Sequence, residues 1–139
     1  MKYIQTSNAP GPAGHYSQAI VHRGLVYVSG QLPVDPATGV KRTGSIEEQT
    51  LQALENVKAI LGAAGSDLGH VLKTTVYVSD IQLWDCVNAV YARFFGDHRP
   101  ARAVVPTREL HYGFKIEIEA IAALCGDAGR GLRNAERDE

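Results

Sequence analysis

Arg102, Glu117 and Glu119 are the residues whose types and spacing hold the most chemistry. A guanidinium is a planar fork of donors that matches a carboxylate, and it keeps its charge where a lysine would lose it. A carboxylate on a strand can hold a water and accept its proton. Residues 114–124 alternate, with Phe114, Ile116, Ile118, Ala120 and Ala122 on one side and Lys115, Glu117, Glu119 and Ile121 on the other. At strand spacing the two glutamates stand roughly 6–7 Å apart, away from the apolar face. Where Arg102 points depends on the register of a hairpin joining residues 102–109 to residues 114–124. An even loop around Leu110-His111 places Arg102 and Val104 on the Glu117 face. An odd one drives the guanidinium into the apolar face, at a cost on the order of several kcal/mol. The even register is therefore expected, with Arg102 and both glutamates in one polar cluster. Two readings of that cluster stand open: an ion-pair network on a solvated or oligomeric face, and a pocket that grips a carboxylate.

The elements that must position these residues are legible from periodicity and turn residues. Short strands are expected at 2–6, 16–22 and 25–29, the last two joined by Arg23-Gly24 as a two-residue hairpin turn. A helix is expected over 45–64, capped by Ser45 with Glu48 three residues on, and with Leu51, Leu54, Val57 and Leu61 as its apolar stripe. Residues 71–78 read as a β-branched strand. A second helix over 83–95 carries Trp84, Val87, Tyr91 and Phe94 on one face, an aromatic stripe that suits a core. The fold class is α+β, a mixed sheet with both helices on one face. Leu25, Tyr27, Val76, Val78 and Ile121 exceed what two helices can cover, so the other face is expected to bury against identical copies. Residues 1–125 read as the folded domain and residues 126–139 as a polar tail.

A formal net charge of −1 argues against a general nucleic-acid or anionic-membrane binder. No apolar run is long enough to span a bilayer, and residues 1–9 lack the apolar segment of a signal peptide, so a cytoplasmic protein is expected. Cys86 and Cys125 lie far apart, outside any CxxC or Cys/His ligand spacing, and are read as small buried or semi-buried residues in a reducing compartment. His15, His22, His70 and His98 show no metal-ligand spacing, and no metal is expected.

Several segments, taken in order, resemble the RidA/YjgF family of imine deaminases. They include Tyr16-Ser17-Gln18-Ala19, Val28-Ser29-Gly30-Gln31-Leu32-Pro33, Lys73-Thr74-Thr75-Val76-Tyr77-Val78, Pro100-Ala101-Arg102-Ala103 and Ile116-Glu117-Ile118-Glu119-Ala120-Ile121-Ala122. The resemblance implies a chorismate-mutase-like homotrimer with pockets between subunits, and hydrolysis of 2-imino and enamine acids to 2-keto acids and ammonia without a cofactor. It makes Arg102 the carboxylate anchor and Glu117 the residue that holds the attacking water. Tyr16, Ser29, Gly30 and Gln31, with Val104, would line the cleft. Leu110-His111 stands where the family often has Leu-Pro, which leaves open whether His111 meets ligand or is a loop-tip residue. A non-enzymatic module that binds a small carboxylate through Arg102 is the main alternative. A ribonuclease or translation-inhibitor role, attached to some relatives, is disfavoured by the near-neutral charge.

Overall fold

The computed structural model describes residues 1–126, so the expected tail lies almost wholly outside the described residues. Six strands form one sheet: β1 (Lys2–Ile4), β2 (Ala19–His22), β3 (Leu25–Gln31), β4 (Val71–Val78), β5 (Ala101–Pro106) and β6 (Ile116–Ala123). Two helices, α1 (Ile46–Ala64) and α2 (Trp84–Phe95), lie on one face. The spatial order is β1-β2-β3-β6-β4-β5, with β4 and β5 parallel and every other pair antiparallel. The expected mixed α+β architecture is therefore present.

Local chemistry explains the elements. Arg23 and Gly24 both take positive φ (48° and 77°), as a two-residue turn twisted like its strands requires. Ser45 accepts a hydrogen bond from the Glu48 amide at 3.1 Å, capping α1, while the Glu48 carboxylate turns instead to Arg42 at 3.6 Å. The buried stripe of α1 runs through Ala53, Leu54, Val57, Ile60 and Leu61; Leu51, expected in it, is 47% exposed. On α2, Val87, Val90, Tyr91 and Phe95 are buried, and Trp84 is exposed at the rim.

The strand order overturns one expectation directly. The strands at β5 and β6 are not hairpin neighbours, because β4 runs between them. The chain leaving β4 returns through α2, the crossover that a parallel partner requires, so β5 pairs with β4 at the sheet edge. Pro106, the last residue of β5, is tolerated at that edge. Cross-strand register sorts the two faces. Val76 and Val78 pair with Ile118 and Ile116 and are buried under the helices, so they are not on the open face as expected. Tyr3, Leu25, Tyr27, Lys73, Ile121 and Val105 do occupy that open face.

Candidate active site

The site begins at an irregularity in β3. Val28 pairs with Ala120 and Gln31 with Ile118, so three residues of β3 span two of β6. Ser29 and Gly30 are the bulge, a device that bends a strand and re-aims what lies beside it. The bulge is braced from several sides. The Ser29 amide donates to the Gln18 carbonyl (2.9 Å), and the Ser29 hydroxyl donates to the Ser17 carbonyl (2.6 Å). Gln31 is buried, and its Nε2 donates to the Ser29 carbonyl at 3.1 Å. Gln31 thus supports the bulge from beneath rather than lining an open cleft.

Glu117 packs directly on Gly30. A Cβ at position 30 would overlap the Glu117 carboxylate and lie 3.0 Å from its Cδ, so any larger residue would displace that carboxylate from where it stands. Burial, and then the like charge of Glu119, push the Glu117 carboxyl above its ordinary range; His111 opposes them. Glu119 itself accepts a hydrogen bond from the Tyr77 hydroxyl at 2.8 Å, which raises the Tyr77 pKa. His111 is exposed and stacks on Tyr112 with ring centroids 4.1 Å apart, and Lys41 Nζ sits 4.6 Å over the Tyr112 ring. The influence of His111 on Glu117 therefore reaches the site by charge.

Arg102 is held differently. It pairs with Thr74, whose neighbour is Ala120, so its side chain belongs to the helix face of the sheet. Its guanidinium carbon lies 4.7 Å from the centroid of Tyr91 and 5.7 Å from that of Trp84, two cation–π contacts from α2. The Tyr91 hydroxyl is itself fixed against Thr74 Oγ1 at 2.7 Å. Among the described residues, the ion pairs are Arg42 with Asp35 and Glu48, and His70 with Asp67; Arg102 has none. It opens instead onto a groove of about 540 Å³ shared with Asn88, His98, Arg99 and Pro100.

The expected cluster of Arg102 with Glu117 and Glu119 is thus absent within one chain. Arg102 is level with Ala120, whereas Glu117 is level with Tyr77 and Val105. Two inter-strand steps and three residues of strand put their backbones about 14 Å apart, on opposite faces. The odd-register penalty does not arise because β5 is an edge: its helix-side face is half open, and aromatic rings replace water around the cation. Val104 accompanies Arg102 on that side and packs against the core. Tyr16 is 51% exposed, its hydroxyl accepting from the Ala13 amide at 3.2 Å, next to Ser17. Ser29, Gly30 and Gln31 therefore gather at Glu117, while Arg102 and Val104 gather under α2. Sequence reasoning placed Tyr91 and Trp84 in a core stripe and missed their role around Arg102, which depends on α2 facing the edge strand β5.

The family follows from comparison. A family model described as endoribonuclease L-PSP matches residues 6–124. The chain belongs to this family, the RidA/YjgF family. A RutC family protein of Pyrococcus horikoshii is 50% identical over 119 residues, covering 86% of this chain and 94% of that protein. A 2-iminobutanoate/2-iminopropanoate deaminase of Salmonella typhimurium is 47% identical, covering 87% of this chain and 96% of the relative, and the human protein of that name is 43% identical. A putative endoribonuclease of Thermotoga maritima superposes with a TM-score of 0.87 at 48% identity, over 91% of this chain and 99% of that one. E. coli TdcF, solved with bound serine, gives a TM-score of 0.86 at 40% identity, over 90% of this chain and 100% of its own. This member of the RidA/YjgF family thus stands among relatives carrying both deaminase and endoribonuclease names.

Proposed function

We propose that the chain is an imine deaminase that hydrolyses 2-imino and enamine acids to 2-keto acids and ammonia, acting as a homotrimer. The observation that carries this is Arg102, an aromatic-clamped guanidinium with no carboxylate of its own among the described residues. The deaminase relatives and the serine held by TdcF support a small amino-acid-like carboxylate as its occupant. Because Arg102 and Glu117 lie on opposite faces, a shared pocket needs Arg102 of one copy to approach Glu117 of another. The apolar open face supplies a reason for copies to associate.

In the proposed reaction Arg102 binds the substrate carboxylate through its fork, fixing the C=N carbon. An enamine reacts as its imine tautomer: a water held by Glu117 attacks the carbon of the protonated imine as the carboxylate takes its proton, giving a neutral carbinolamine. Glu117 returns the proton to nitrogen, the C–N bond breaks with release of ammonia, and the carbinolamine hydroxyl gives its proton to Glu117 as it becomes the keto-acid carbonyl. A carboxyl with a raised pKa suits both the acceptance and the return. Gly30 and the bulge it shares with Ser29 hold that carboxyl in place.

The test generates a 2-imino acid in situ with an amino-acid oxidase and measures how much survives for semicarbazide to trap. Wild type lowers the trapped fraction, and Arg102→Ala loses about 100-fold in kcat/KM, the worth of a charge-assisted bidentate contact. Equal activity in both proteins removes Arg102 from the mechanism. No acceleration by wild type, together with saturable 2-keto acid binding, leaves a binding module.

A further inference from the structure

Far from Glu117, the end of β6 brings together three side chains that sequence spacing keeps apart. Asp67, His70 and Cys125 offer one ligand atom each, all within 4.8 Å of one another. His70 Nδ1 is 2.6 Å from Asp67 Oδ1, and Cys125 Sγ is 3.5 Å from both His70 Nδ1 and Asp67 Oδ2. Cys125 is eight positions beyond Glu117, roughly 25 Å along extended chain. Neither the histidine nor the cysteine carried a ligand signature, because the third partner arrives from the far end of the fold.

From this cluster we infer a binding site for a borderline divalent cation of the zinc class, held by Cys125 Sγ, His70 Nδ1 and an Asp67 oxygen. Thiolate, imidazole and carboxylate are the donor set zinc takes, with water free to fill a fourth position. Around a tetrahedral zinc, such donors stand about 3.2–3.8 Å apart. With Asp67 Oδ2 as the oxygen ligand, the two edges to the sulfur, both 3.5 Å, already have that length. The third edge, His70 Nδ1 to Asp67 Oδ2, forms as the two side chains turn from their present 2.6 Å contact through Oδ1, and both are at the surface.

The segments are anchored where the ligands need them. Gly65 ends α1 with φ of 87°, and its carbonyl accepts from the Cys125 amide at 3.0 Å. The Ser66 hydroxyl donates to the Ala123 carbonyl at 2.6 Å, and the Leu124 amide to the Gly24 carbonyl at 2.9 Å. Asp67 caps the following 3₁₀ turn, Leu68–His70, through Oδ1, which leaves Oδ2 facing the sulfur. A nucleophile relay is the competing use of such a trio, and the geometry opposes it. In a relay the histidine holds the acid with one ring nitrogen and the thiol with the other. Here both partners approach the same nitrogen, as ligands converging on one point do.

Cobalt(II) added to the reduced protein tests the site, since a thiolate ligand gives a charge-transfer absorption that solvent-bound cobalt lacks. The expected result is that band saturating at a single equivalent, displaced by zinc, retained in Cys86→Ser and lost in Cys125→Ser. His70→Ala is expected to weaken cobalt binding by at least about tenfold, and it covers the case in which Cys125→Ser does not fold. Absence of the band in wild type overturns the site. So does a band that survives Cys125→Ser and vanishes with Cys86→Ser.

Discussion

At the scale of single residues, the chemistry was legible and its geometry was not. Glu117 could be assigned to the face away from the helices because alternation within one strand is a local property. Arg102 could not, since its face depends on which strand lies beside it, and a guanidinium stacked between rings leaves no mark in spacing. The charge around Glu117 yields a prediction. Burial and Glu119 hold the Glu117 carboxyl up, so in the folded chain its ionisation begins at higher pH than in the unfolded one. That raised value means folding favours the protonated form, and stability is surrendered as pH rises through it. In the proposed mechanism the ionised form is the base, so activity falls on the acid side of the same titration. Glu119→Gln removes the like charge, and the acid limb of the kcat/KM profile should move to lower pH. A limb that stays in place, or moves up, shows that Glu119 does not set the Glu117 titration.

At the scale of elements, helices and strands were readable because caps, apolar periods and turn glycines are local, and all eight elements fall near their expected positions. What escaped was the insertion of β6 between β3 and β4, a non-local pairing. Buried amides also escaped, since a glutamine in a loop reads as a surface residue. Gln18 is one of them: it accepts from the Thr6 amide at 2.7 Å and donates to the carbonyls of Thr6, Ala9 and Pro10 at 3.0, 3.3 and 2.8 Å. One side chain thus moors the loop that leads to Tyr16. Gln18→Leu keeps the volume and strips every one of those bonds, and is expected to cost about 2–3 kcal/mol in urea unfolding. A loss under about 0.5 kcal/mol means water replaces the amide without penalty.

At the scale of the whole molecule, the open face of the sheet is the feature that most concerns assembly. Tyr27 is 44% exposed near its middle, beside Ile121 and opposite Ile20. Excess apolar residues foretold an uncovered face, although Val76 and Val78 proved to be on the covered one. If three copies share that face, Tyr27→Glu buries a charge at each contact. The variant should sediment as a folded monomer with unchanged far-UV circular dichroism and should lose imine hydrolysis, because Arg102 and Glu117 then never meet. A monomeric variant that keeps its activity places both residues in separate roles.

The position of β6 has a further consequence, in the time order of synthesis. Among the described residues Ile116–Ala123 is the last strand in chain order, and it joins the β1–β3 half of the sheet to the β4–β5 half. Until it leaves the ribosome, β3 and β4 each present a bare inner edge, and the core lacks Ile116, Ile118, Ala120 and Ala122. Pairing of this one strand thus brings Glu117 to Gly30 and, just beyond its end, Cys125 to His70.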